Sequence, residues 1–114
     1  MPERIQCRRV KGWRKPDGAV YVGRPTMFGN PFTPAGYIEV WNPKATPEDA
    51  REACVRFFKD WIREVMRGDW NHDEKLNAIR KAIPTLRGKD LMCWCEVGSP
   101  CHADVLLELA NRTQ

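Results

Sequence analysis

The chain opens on an alternating segment. Between Arg4 and Val10, Ile5 and Cys7 fall on one side and Arg4 and Arg8 on the other, the period of a β-strand with one covered face. Lys11 to Gly18 is broken by Gly12, Pro16 and an Asp17-Gly18 pair, and reads as a turn. Ala19 to Gly23 (AVYVG) is short, apolar and β-branched, which predicts a second strand. The short connection predicts that the two strands pair as an antiparallel hairpin. From Arg24 to Pro47 no period survives. Pro25, Gly29, Pro31, Pro34, Gly36 and Pro43 make this a long irregular stretch, of a kind that often carries function. Within it, only Tyr37 to Trp41 hints at a short strand or turn.

Thr46 to Gly68 is the clearest element. Thr46 suits an N-cap, Pro47 the first helical position, and Asp49 completes a capping-box pattern. Ala50, Cys54, Phe57, Phe58, Trp61, Ile62 and Val65 then recur at helical spacing, and Gly68 suits the stop. The aromatic stripe is read as core packing against a sheet rather than a stacking surface for bases. Asp73 to Ile83 predicts a second helix, with Leu76, Ile79 and Ile83 inward and Pro84 ending it. Asp90 to Cys95 reads as a third strand, with Leu91, Cys93 and Cys95 on one face and Met92 and Trp94 on the other. A strand apolar on both faces belongs inside a covered sheet. Ser99 and Pro100 then open a last helix carrying Val105, Leu106, Leu109 and Ala110.

These elements describe one α/β domain spanning residues 1–114: a small three-stranded mixed sheet, an N-terminal hairpin plus one parallel strand, packed by three helices. A helical crossover returns a strand parallel to the one before it, so the second and third strands should run the same way. Their C-terminal ends then share one sheet edge, where ligand sites gather. The loops at that edge are GRPTMFGNPF and CEVGSPCH. In the first, Gly23 and Gly29 allow close approach, Arg24 can grip a phosphate or carboxylate, and Asn30 before Pro31 can aim its amide into a cleft. Neither the phosphate-loop nor the dinucleotide fingerprint is present.

The second loop concentrates reactive groups. Cys93 and Cys95 lie two apart, and Cys101 and His102 fall in the first turn of the last helix if Ser99 caps it. Three readings fit. Cys93, Cys95, Cys101 and His102 can bind one metal, zinc being the best match to three thiolates and an imidazole, although C-x-C-x5-C-H departs from paired C-x2-C spacing. Alternatively Cys101 is a nucleophile activated by the helix end and His102, with Asp104 as the nearest orienting group. Or the cysteines are small core residues and His102 merely caps.

Composition narrows the setting. The chain has 114 residues, 42% hydrophobic and 30% charged, ordinary for a folded domain. No apolar run reaches membrane length, and residues 1–10 lack the apolar core of a signal peptide, so a cytoplasmic protein with no membrane contact is expected. Five cysteines, an odd number, argue against a disulfide framework. The net charge of +4 is concentrated at one end: residues 1–24 hold seven basic and two acidic side chains. This predicts an anionic partner, a nucleotide or nucleic acid, meeting the basic N-terminal region.

VYVGRPTMFGNPF and LRGKDLMCWCEVGSPCHADVLLELAN together resemble the bacterial and phage domain-of-unknown-function family numbered 4326. The resemblance runs from about Ile5 to Asn111. Its recurring positions fall on Gly23, Arg24, Gly29, Asn30, Pro31, Phe32, Cys93, Trp94, Cys95, Cys101 and His102. It implies a site built from both loops and supplies no chemistry for it. Two function classes therefore stand. One is a nucleotide- or nucleic-acid-binding domain or enzyme, with Arg24 on the anion and Cys101 and His102 as ligands or catalytic groups. The other is a non-catalytic module, with or without structural zinc, that binds a host protein through Trp13, Trp41 or Trp70.

Overall fold

The computed structural model describes residues 2–95, 99 and 101–112. Three short strands, β1 (Arg4–Gln6), β2 (Val20–Tyr21) and β3 (Leu91–Cys93), form one sheet in the order β1-β3-β2. Both pairings are parallel, with Ile5 opposite Met92 and Val20 opposite Leu91. The α/β class and the parallel β2–β3 pair agree with the sequence reading. The antiparallel hairpin, and with it the mixed sheet, does not. β3 inserts between the first two strands, and the Cys7 amide donates to the Cys93 carbonyl at 2.8 Å while the Val22 amide donates to the Met92 carbonyl at 2.9 Å. The physical reason is the length of the link from Gln6 to Val20, far beyond a tight hairpin turn. Freed from β1, β2 can take the other side of the most apolar strand, and β3 is buried throughout.

The two faces of the sheet divide as the alternation along β3 requires. Leu91 and Cys93 join Val22, Phe58, Ile62, Ile83 and Leu106 in the main core, while Met92 meets Cys7 and Ala19 in a smaller cluster that Ile5, Trp13 and Tyr21 pack against.

Helix α2 (Pro47–Arg67) lies across the main face. Thr46 caps it, its hydroxyl accepting from the Asp49 amide at 3.1 Å, and Gly68 ends it at φ 85°, a conformation that side chains disfavour. Helix α3 (Glu74–Ala82) is capped by Asp73 and runs into a 3-10 turn at Ile83–Leu86.

Two elements differ from expectation. Tyr37–Trp41 is not a strand: Pro34–Val40 is a helix, here α1, whose N-cap Thr33 accepts from the Gly36 amide at 3.1 Å. Thr33-Pro34 repeats the cap-and-proline signal of Thr46-Pro47, and the surrounding prolines and glycines obscured it. The last helix, α4 (His102–Asn111), starts later than Ser99, with Cys101 as its N-cap. The described residues thus include four α-helices rather than three. Pro100 and residues 96–98 of the CEVGSPCH loop lie outside the described residues.

Candidate metal centre and cleft

The parallel β2–β3 pair sends both loops off one edge, and the residues beyond Tyr21 and beyond Cys93 line one cleft of about 350 Å³. Gly23, Arg24, Asn30, Cys93, Cys95, Cys101 and His102 all border it.

The sulfur atoms of Cys93, Cys95 and Cys101 lie within 4.8 Å of one another. Cys93 Sγ is 3.1 Å from Cys101 Sγ, well beyond the ~2.05 Å of a disulfide, and all five cysteines are free. Cys93 and Cys101 are about 1% exposed, whereas Cys95 is half-buried and faces the cleft. β3 ends at Cys93, so Cys95 reaches the cluster from a bend rather than from an extended strand.

Adjacent ligands on one chain normally point apart. Here Cys101 is extended (φ −152°, ψ 142°) and His102 is the first helical residue, and this bend turns both side chains the same way. His102 Nδ1 is 3.7 Å from Cys101 Sγ, and its Nε2 lies 2.8 Å from the Val22 carbonyl oxygen. A carbonyl only accepts, so Nε2 carries the proton and Nδ1 presents its lone pair on the side of the Cys101 sulfur. The ring also packs edge-on against Phe58, with centroids 5.3 Å apart.

The thiols share their protons unequally. Hydrogen bonds from Cys101 and then Cys93 pull the half-buried Cys95 down to about 2, making it the thiolate of the group. Cys93 is pushed up, first by its hydrogen bonds to Cys101 and Cys95 and then by burial. In Cys101 the hydrogen bond from Cys93 pulls the pKa down, but the bond to Cys95 and burial outweigh it and the thiol is raised. Burial lowers His102 and keeps the imidazole neutral. Cys7 and Cys54 are raised by burial and lie apart from the cluster as core thiols.

Other expected site residues play different parts. Asp104 does not orient His102, because its carboxylate accepts from Arg4 at 3.2 Å and is 56% exposed; the Val22 carbonyl holds the imidazole instead. Asn30 borders the cleft with its side-chain amide engaged inside the protein. It donates to the Cys54 carbonyl at 3.2 Å and accepts from the Phe32 amide at 2.9 Å, tying the loop to α2. Gly23 and Gly29 lack positive φ, and their role is close packing of the loop on itself. A Cβ on Gly29 would sit 3.2 Å from the Arg24 backbone, and one on Gly23 2.5 Å from the Tyr21 hydroxyl. Arg24 donates to the Asn30 and Phe32 carbonyls at 2.9 and 3.0 Å and borders the cleft.

Three contributors escaped the sequence reading. Val22 contributes through its backbone, which no side-chain pattern reveals. Arg51 reaches the cleft from α2, and its spacing to Cys54 and Val55 marked that face. Arg4, with its side chain 8% exposed, donates to the Ser99 carbonyl at 2.8 Å and fastens the segment ahead of α4 to β1.

The chain matches the family described as Domain of unknown function (DUF4326) over residues 5–112. It belongs to that family. Searches among curated proteins and solved structures gave no match. The match spans both loops of this DUF4326 domain, as the resemblance implied. No helix among the described residues is long and apolar enough to cross a membrane. Of the tryptophans expected to anchor a partner, Trp41 is 69% exposed, Trp70 donates to the Glu64 carboxylate at 3.2 Å, and Trp13 packs on the Cys7 cluster.

Proposed function

We propose that the protein is a zinc-centred binding domain, in which Cys93, Cys95, Cys101 and His102 hold the ion at the floor of a cleft that takes a small anionic ligand. The carrying observation is the convergence of three sulfur atoms within 4.8 Å, with His102 Nδ1 3.7 Å from one of them. Zinc bonds of about 2.3 Å to sulfur and 2.0 Å to nitrogen set tetrahedral edges of roughly 3.8 Å (S···S) and 3.6 Å (S···N). The 3.7 Å edge already fits, the 3.1 Å Cys93–Cys101 edge needs to open by about 0.7 Å, and His102 Nδ1, which stands outside the 4.8 Å group formed by the three sulfurs, needs to swing inward to complete the tetrahedron. The Val22 carbonyl on Nε2 is the outer partner that a metal-bound histidine requires.

Four protein ligands leave no open position, so the ion is read as structural. The burial of Cys101 favours a ligand over an attacking thiol. Within this reading the anion is held by the arginines of the cleft, and the protein is bacterial or phage-borne and cytoplasmic.

The test is elemental analysis of chain purified without added metal, followed by titration of the stripped protein with cobalt(II). About one zinc per chain and a thiolate-to-cobalt absorption are expected. Metal-free protein that gives no such absorption overturns the proposal.

A further inference from the structure

The walls and rim of the cleft carry a chemistry that the sulfur cluster does not use. Two guanidinium groups, Arg24 and Arg51, border it, and no carboxylate occurs among its described lining residues. Arg24 is pre-set by its two carbonyl bonds, which use Nε and one terminal nitrogen and leave Nη1 without a partner among the described residues. Arg51 is exposed and makes no hydrogen bond or ion pair among the described residues. Two planar cations without a balancing carboxylate match a doubly charged phosphate.

The same cleft has a flat apolar wall. Trp94 lines it and is 48% exposed, and the Arg9 guanidinium lies 4.9 Å from the centre of its ring. An indole backed by a cation on one face offers the other to an aromatic ligand. The volume, about 350 Å³, lies at the lower end of small-molecule sites. A ligand with a phosphate at one end and a flat ring at the other satisfies both walls.

We infer that the cleft binds a nucleotide, free or at the end of a single strand, with its phosphate between Arg24 and Arg51 and its base on Trp94. This step rests on the zinc reading only for the closed floor of the cleft. Arg9 lies on Trp94, and Arg8, Lys11, Arg14 and Lys15 beside it in the chain are exposed, so a continuing strand would meet basic side chains in this segment.

Calorimetric titration of the full chain with 5′-AMP, 5′-GMP, 5′-CMP and 5′-TMP, beside inorganic phosphate and adenosine, tests this. At least one nucleotide should bind more tightly than either fragment. Arg51→Glu and Arg51→Gln should weaken it by about tenfold or more without lowering the melting temperature. Trp94→Ala should reduce nucleotide binding to the level of phosphate. A 5′-phosphorylated thymidine octamer that outcompetes 5′-TMP assigns the site to strand ends, and equal binding assigns it to free nucleotides. Absence of saturable binding up to about 1 mM, or Arg51→Glu protein that binds as the parent does, overturns the inference. Zinc content measured on the same samples separates the two proposals. Zinc-loaded protein that ignores nucleotides sinks only this one, and zinc-free protein that binds them sinks only the other.

Discussion

Replacing Cys101 by serine separates the two roles the structure gives that residue. Its sulfur accepts from the Ala103 amide at 3.5 Å as the N-cap of α4, and it also stands in the sulfur cluster. Serine is among the best N-cap residues, so the cap survives and is shorter and stronger through oxygen. If Cys101 only packs and caps, the exchange should change stability by no more than about 1 kcal/mol. If it is a zinc ligand, the variant loses the ion. A site filled a thousandfold above its dissociation constant contributes about 4 kcal/mol, and near 4 °C per kcal/mol for a domain of this size the melting point should fall by roughly 15 °C. Circular-dichroism melting of parent and variant, each with and without a strong chelator, reads the difference. The parent with chelator should melt where Cys101→Ser does, and chelator should not move the variant further. A Cys101→Ser protein melting within a few degrees of a chelator-insensitive parent would refute the reasoning.

Asn30→Ala should cost about 1–3 kcal/mol in urea denaturation, because it removes one buried and one part-buried hydrogen bond and leaves the Phe32 amide without its partner, while the Cys54 carbonyl keeps its place in the α2 ladder. Arg4→Ala should destabilise by roughly 1–3 kcal/mol and speed amide exchange at the start of α4, whereas Asp104→Ala, at the exposed end of the same pair, should cost below about 1 kcal/mol. An equal effect of the two substitutions would contradict the anchoring role of Ser99. Beside the thiols of the cluster, His102 adds its own part to the pH dependence of the metal-stripped protein, its folded pKa being lowered from 6.5 by burial. The unfolded chain then takes up the proton first, so this contribution is intact above about pH 6.5 and is lost as pH falls towards the folded value. His102→Gln should flatten that part of the stability profile measured by denaturant titration.

What the sequence made legible was local. α2 could be read almost to its ends because cap, proline, apolar stripe and terminal glycine all act within one element. The inward face of β3 was legible for the same reason, since alternation is a property of the strand itself. The sheet order was not, because whether β1 and β2 pair depends on a competitor, β3, more than sixty residues away. The site shows the same division. The residue types of the cysteine loop announced a cluster, but the partner that orients His102 is a backbone carbonyl, and Asn30 and Asp104 carry side chains whose use depends on what stands opposite. Polar groups near a site are ambiguous in sequence because the same amide or carboxylate serves a ligand or a neighbouring loop equally well.

The small size of the sheet gives the sulfur cluster a mechanical meaning. Its strands span three, two and three residues, and the radius of gyration of 14.7 Å exceeds the roughly 13 Å expected for a compact domain of this length. Few ladder bonds hold the sheet edge where both loops depart. An ion there would fix the end of β3 to the start of α4. Through the imidazole and the Val22 carbonyl it would also bind the loop that carries Arg24. The same bonds that close a structural metal site would therefore set the arginine against the cleft. Loss of the ion should relax the cleft before it unfolds the core built on Phe58, Ile62 and Leu106, because α2 keeps its own helical hydrogen bonds and its packing with Ile83 and Leu91, whereas the loop after Val22 loses the His102 tether. Hydrogen exchange on stripped protein should show this order, with the amides of residues 22–32 exposed well ahead of those in α2. Simultaneous exposure of both segments would mean that the cluster holds the whole fold rather than its binding edge.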